Sequence, residues 1–342
     1  MRFIGNAPVD GEVRAIASGA LATGDTVVVN ADGTVSVVAG SNSSSGSPVV
    51  FNSATTTMQP SSSVYDSSNN KIVIAYKDYG NSQYGAAIVG TISGSTITFG
   101  SSTVFESASI EHQTITFDDN SNKVVIAYRD GGAGKAIVGT VSGTSISFGS
   151  STTFESSGIE GVGMTFDTTN NKVVISYSDK DNSNYGTAVV ATVSGTSISF
   201  GSVAVYTSEY AIYNAIVFDS SVNKVVISYR AATDGDKGKS VVGTDSGTSI
   251  SFGSAVTFAS GGAGIVSATY DTSLNKVLVA YSDKGNTNYG TIALGSVSGT
   301  SISFASGGVF ESAAADDLTI TYDANANKSA VFYYDEGNSF YG

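Results

Sequence analysis

The sequence predicts an all-β chain folded as a six-bladed β-propeller of four-stranded antiparallel blades, with the sixth blade closed by strands from the N-terminal region. Three observations predict it. First, an aspartate, three variable residues, Asn-Lys and a hydrophobic run recur at Asp66, Asp118, Asp167, Asp219, Asp271 and Asp323, in steps of 52, 49, 52, 52 and 52 residues. A period near 50 filled with short β-patterned segments marks units that bury their faces against two neighbours. Second, each repeat divides into four β segments separated by turn residues. Third, the last repeat stops after two segments, while residues 24–51 carry two more of the same kind.

The second repeat serves as the pattern. Strand a is read at 114–118, strand b at 123–130, strand c at 135–141 and a bent strand d at 145–155. The a–b turn begins with Asp118, whose carboxylate suits turn amides, and ends near Asn122, which tolerates a left-handed backbone. The c–d turn is Ser142-Gly143-Thr144, where Gly supplies the positive φ of a tight hairpin. Strand b, KVVIAY, is almost continuously apolar, as expected of an inner strand covered on both faces. Strand d alternates, and the glycine after its phenylalanine recurs as Gly100, Gly149, Gly201 and Gly253, with Ala305 in the fifth repeat. A bulge or bend is the expectation there.

The sixth repeat supplies strand a at 319–323 and strand b at 328–335, then NSFYG. Residues 26–31 and 34–51 repeat the apolar alternation around a Gly turn and are read as its missing half, a two-plus-two closure that removes the open sheet edge. The domain organisation is then residues 1–23 as an arm or attachment segment and 24–342 as one propeller.

Composition narrows the function. Charged residues make up 13%, with Gly, Ser, Thr and Asn filling the deficit, and the net charge is −13. The only arginines are Arg2, Arg14, Arg129 and Arg230, so there is no basic stripe for a phosphate backbone and nucleic acid is not an expected partner. No apolar run is long enough to span a bilayer, and the chain start lacks the continuous apolar core of a signal peptide. There is no cysteine, hence no disulfide, thiolate metal site or cysteine nucleophile.

In an up-and-down blade the a–b and c–d turns share one rim, and the b–c and d–a connections share the other. The first rim is nearly uniform among the repeats and the second varies, which makes the second the expected binding face. Its d–a crossovers, 107–113, 156–163, 207–214, 259–266 and 312–318, should converge at the channel mouth. Tyr79, Tyr210 and Tyr213 could stack on sugar rings, with Asn81 and neighbouring carboxylates accepting hydroxyl hydrogen bonds. Glu111, His112, Glu160, Asp316 and Asp317 complete the candidate ligand-binding set. Among the b–c loops, Asp179, Asp181, Asn182 and Asn184 bunch hard oxygens that suit Ca²⁺, although turn chemistry accounts for the same residues; no other cofactor is expected. His112 is the only histidine and no Ser or Cys nucleophile signature accompanies it. Paired carboxylates could hydrolyse glycosides, but surface acids are ordinary in an acidic protein. The expected activity is therefore not enzymatic.

NKVVIAYRD, YGTAVVATVSGTSISFGS and VFES resemble repeat segments in structural and fibre-like proteins of marine bacteriophages, notably those infecting cyanobacteria; similar repeats also occur in bacterial sequences. The leader GALATGDTVVVNADGTVSVV is similar to segments that precede varied modules in phage virion proteins. The resemblance covers residues 48–342 and implies a tail fibre, appendage or capsid decoration protein. Such a protein is assembled in the host cytoplasm, held to other virion proteins by its N-terminal arm, and presents one rim to a host-surface glycan or protein. The alternatives are a virion module without a ligand, or a bacterial lectin-like or glycosidase-like propeller.

Overall fold

The computed structural model describes residues 16–17, 27–29, 34–37, 46–57 and 62–336. The chain forms two compact units, residues 1–48 with 94–96, and residues 49–93 with 97–342. Apart from two single turns of 3-10 helix, Tyr79–Asn81 and Lys284–Asn286, the described secondary structure is β. No described helix is long and apolar enough to cross a membrane.

In the larger unit every b strand is placed as the sequence predicts. Lys123–Asp130 of repeat two lies between strand c, Ala133–Ser142, and strand a, all antiparallel. The same arrangement holds for Lys71–Asp78, Lys172–Asp179, Lys224–Ala231 and Lys276–Asp283. Strand d differs from its prediction. It forms two pieces, Ser145–Phe148 and Thr152–Glu155, both paired with strand c. The intervening Gly149 has an ordinary φ, so its small size is required by close approach and not by a left-handed backbone. A Cβ there would lie 2.0 Å from the carbonyl oxygen of Thr196 in the next repeat's c–d turn.

The d–a crossovers also depart from the expectation of loops. Three of them run as unbroken strand, in Thr103–Asp118, Ala204–Asp219 and Ser301–Asp323. Thr103–Asp118 pairs first with strand c of repeat one and then with strand b of repeat two, so its amides stay bonded through the crossing. The repeats are thereby laced by main chain.

Side chains complete the lacing. The four largest core clusters each draw on two repeats: Val73, Ala87 and Val89 of repeat one pack with Ile115, Val124, Ile126 and Tyr128 of repeat two. Phe105, at the end of one repeat, stacks on Tyr128 and Phe148 of the next at 5.2 and 5.7 Å between ring centroids. Phe154, Tyr206 and Phe258 do the same further along. The buried Tyr128 hydroxyl donates to Glu106, and Tyr333 donates to Glu311, both at 2.9 Å. These bonds satisfy a polar tip that burial would otherwise strand.

The recurring aspartates act in their own turns. Asp66 Oδ1 accepts from the amides of Ser68 and Asn69, and Asp271 Oδ1 from Ser273 and Leu274. The paired asparagines, Asn70, Asn122, Asn171, Asn223, Asn275 and Asn327, all hold φ between 51° and 54°.

In the smaller unit, Val27–Val29 and Thr34–Val37 form the expected hairpin, with Val29 opposite Val35. Ile16–Ala17, assigned to the arm by the sequence, instead pairs in parallel with Thr34 and Val35. Of residues 34–51, expected to complete the sixth blade, Thr34–Val37 are strand and 46–50 are not. In the larger unit, strand b of repeat six, Lys328–Asp335, pairs with strand a along one edge. Among the described residues nothing pairs with its other edge, and Phe332 and Tyr334 are exposed. The predicted join runs through 337–342 and most of 30–45, which lie outside the described residues.

Candidate functional site

The a strands of successive repeats pack on one another in the larger unit, and those of repeats two, three, four and six carry an irregularity at the same place. In repeat two, Arg129 pairs with Glu111 and Ala127 with Thr114, so His112 and Gln113 together oppose the single Tyr128. Gly161 and Val162 oppose Tyr177, Tyr213 and Asn214 oppose Tyr229, and Asp317 and Leu318 oppose Tyr333 in the same way. The first bulge residue is left-handed in all four: His112 at φ 51°, Gly161 at 57°, Tyr213 at 55° and Asp317 at 45°. Glycine adopts this conformation without penalty, whereas bulky His and Tyr do so only where the surroundings impose it, a pattern that gathers at functional sites. Three residues singled out by the sequence thus occupy one structural position.

The bulges of repeats two, three and four face a cavity of about 400 Å³ lined by strands a of repeats two to five. Of the sequence candidates, His112, Glu160, Tyr210 and Tyr213 line it. Glu160 sits at its rim, accepting the Tyr210 hydroxyl at 2.7 Å and the Lys180 ammonium at 2.5 Å. Burial acts to raise the Glu160 carboxyl, but the bonds from Lys180 and Tyr210 prevail and hold it below the usual carboxylate range. The bond to Glu160, with burial, pushes the Tyr210 hydroxyl up to about 12. Burial, and then the nearby Arg129 guanidinium, push the His112 imidazole down, so it is neutral at pH 7. Lys180 comes from a b–c loop and Glu160 from a d–a crossover, so the two variable loop sets meet as the sequence reading required.

The deeper lining is apolar. Met164, Ile216 and Val266 are buried there, with Val162 and Ile265 beside them. Thr114, only 1% exposed, adds a hydroxyl that has no hydrogen-bond partner. Asn214 is occupied: it accepts the Tyr206 hydroxyl at 2.9 Å and donates to the Gly161 carbonyl at 2.8 Å. Thr114, Met164, Lys180 and Asn214 were not singled out by the sequence, because three of them look like ordinary strand or turn residues and Lys180 is one of many loop charges.

Other candidates are placed differently. Asp316 lines a second cavity of about 250 Å³ with Tyr213, Arg230, Lys284 and Glu336. Arg230 lies over the Tyr213 ring at 4.9 Å and pairs with Asp236, which also binds Lys284 at 2.7 Å. Glu111 is ion-paired with Arg129 at 3.0 Å, and neither it nor Asp317 lines either cavity. Tyr79 and Asn81 sit in the 3-10 turn of repeat one, where Lys77 lies over the Tyr79 ring at 5.2 Å, away from both cavities. Of the proposed calcium ligands, Asp179 uses Oδ1 to accept the amides of Asp181 and Asn182, and Asn184 is a left-handed turn residue. Among the described residues no three His, Cys, Asp or Glu side chains are grouped to hold a metal.

No family model matches the chain, and no curated protein matches it. Solved structures do. A protein from Lactobacillus plantarum is 10% identical over 93% of this chain and 93% of its own, with a TM-score of 0.54. Trypanosoma rangeli sialidase is 12% identical over 94% of this chain, with a TM-score of 0.51; the chain spans 58% of that protein's length. At such identities the likeness is one of fold. It establishes an all-β chain of repeated antiparallel sheets, of the propeller type.

Proposed function

We propose that this protein is a carbohydrate-recognising, lectin-like propeller whose ligand sits in the cavity lined by the a strands of repeats two to five. The observation that carries the reading is the cavity itself: an apolar interior, an unpartnered buried hydroxyl, and a rim of tyrosines and one ionised carboxylate. Small-ligand sites combine mostly apolar walls with a few placed polar groups in this way, at about 300–1,000 Å³. Tyr210 and Tyr213 supply ring faces and hydroxyls suited to sugars. Fold-level likeness to a sialidase supports a sugar ligand by analogy only. Glu160, held ionised, does not suit the role of a glycosidase general acid, which needs a raised carboxyl. The virion setting rests on the repeat resemblance alone, and the binding reading does not depend on it.

The architecture behind the site is, in this proposal, six blades closed by the N-terminal strands. Contacts at three sixth-position residues support it. A Cβ on Gly46 would lie 1.7 Å from the Ser95 carbonyl, as Gly100 meets Thr144 and Gly149 meets Thr196. Phe51 stacks on Tyr76 at 5.3 Å and on Phe99 at 5.9 Å, repeating Phe105 on Tyr128 and Phe148. Asn52 reaches the Tyr76 hydroxyl where Glu106 serves Tyr128. Residues 46–52 thus have the contacts of a preceding blade's outer strand.

A glycan array followed by calorimetry tests the function. The wild-type chain is expected to bind a defined carbohydrate, and Tyr210→Ala with Tyr213→Ala to weaken it about tenfold or more, roughly 1.4 kcal/mol, without lowering the melting temperature by more than a few degrees. Binding that survives the double substitution, or release of reducing sugar from the bound glycan, defeats the reading.

A further inference from the structure

Resting on that binding reading, we infer that the ligand is a neutral N-acylated amino sugar, its acyl methyl seated on Met164, Ile216 and Val266 and its amide bonded by the Thr114 hydroxyl. The argument starts from what the buried lining can satisfy. Thr114, Met164, Ile216 and Val266 are each no more than 9% exposed, and all four line the cavity. A plain hexose pressed against this surface would leave ring hydroxyls without partners, each at a penalty of about 1–3 kcal/mol. A methyl group loses nothing there and gains from leaving water.

The one described side-chain atom in this lining that is buried and unbonded is Thr114 Oγ1. Its neighbours are committed elsewhere: Ser267 Oγ accepts the Ile320 amide at 3.2 Å, and Asn214 joins Tyr206 to Gly161. A hydroxyl can donate to an amide carbonyl or accept an amide N–H, so an acyl amide answers it from either side. Thr114 lies on the a strand of repeat two and Met164 on the a strand of repeat three packed against it, so the amide and the methyl are called for on neighbouring strands.

Charge argues for a neutral ligand. The ionised Glu160 at the rim repels a sugar carboxylate, and its cation Lys180 is already engaged with it at 2.5 Å. The guanidinium of Arg129 is paired with Glu111. Among the described residues no cation lines this cavity, and neutral His112 leaves a hydrogen-bonding group without charge.

The test titrates the full chain with N-acetylglucosamine and N-acetylgalactosamine, their free-amine counterparts, glucose, galactose, fucose and N-acetylneuraminic acid. The N-acetylhexosamines are expected to bind about tenfold or more tighter than the parent hexoses. Thr114→Val, which keeps the shape and removes the hydroxyl, should weaken them about five- to tenfold, the equivalent of one hydrogen bond near 1 kcal/mol, and weaken the hexoses by a smaller factor. Saturation-transfer NMR on the wild-type chain should place the strongest signal on the acetyl methyl, which keeps the test open should the variant fold poorly. Tight binding without an acetyl preference, a preference for N-acetylneuraminic acid, or equal binding of fucose overturns this inference and leaves carbohydrate recognition standing. Failure of every carbohydrate to bind removes both.

Discussion

Gly201→Ala is expected to destabilise the fold by about 3 kcal/mol, the upper part of the range for forcing extra volume into packed structure. The added Cβ would lie 1.7 Å from the Thr248 carbonyl oxygen of the next repeat. Backbone has to move, because the obstacle is not the end of a flexible side chain. Gly100, Gly149 and Gly253 face the same contact at 1.9, 2.0 and 1.8 Å. Gly46→Ala is expected to destabilise the chain equally, since residue 46 meets Ser95 at 1.7 Å. Chemical denaturation of the two variants beside wild type measures this. A Gly46→Ala chain that unfolds at the wild-type denaturant concentration while Gly201→Ala falls would show that residues 46–52 do not serve as an outer strand.

Asp245→Val is expected to stabilise the protein by about 1–3 kcal/mol at pH 7.5, the penalty of a buried polar group without its partner. Other repeats place Ile92, Val141, Val193 and Val297 at this position of strand c. Asp245 is 6% exposed and meets Asp167, which is fully buried. A single amide, Asn170 Nδ2, donates to both carboxylates at 3.1 and 3.2 Å, and Asp245 Oδ1 has no partner. Burial first, and then Asp167, push the Asp245 carboxyl up to about 6. The folded chain therefore keeps a proton between about pH 4 and 6 that the unfolded chain releases. By linkage the pair's contribution falls as pH rises through that window and is lowest above pH 6. The gain from Asp245→Val should accordingly be largest at pH 7–8 and shrink towards pH 4.5. Comparing melts of variant and wild type at each pH cancels the carboxylates shared by both, such as Glu155 and Asp271, which are held low and lose stability in the opposite direction. A constant gain across the range, or a loss at neutral pH, sinks the account.

The b strands were legible because nothing else reads as six near-identical apolar runs, and their bounds in repeat two match the structure to the residue. The turns were legible for a similar reason: Asp and Asn have few other uses at fixed spacing before a lysine. At Gly149 strand d breaks with a one-residue register shift, as the sequence led one to expect, but the sequence shows only that a side chain is excluded and not what excludes it. The crossovers were taken for loops because their sequences carry no clear periodicity. The structure makes three of them strands by giving both halves a bonding partner in different repeats. Asp245 escaped notice altogether, as a single acid among many, until burial placed it against Asp167.

The candidate site divides along the same line. By itself the sequence determined the repeat, its strands and turns, and which loops vary, because these depend on local preference and on a period written six times. Choosing among the variable residues was left to tertiary structure. His112, Glu160, Tyr210 and Tyr213 share a cavity while Tyr79, Asn81 and Asp317 do not, and Thr114 becomes a site residue only through the bulge beside it. That selection depends on how strands about 50 residues apart pack across one another. No pattern within a single repeat encodes it.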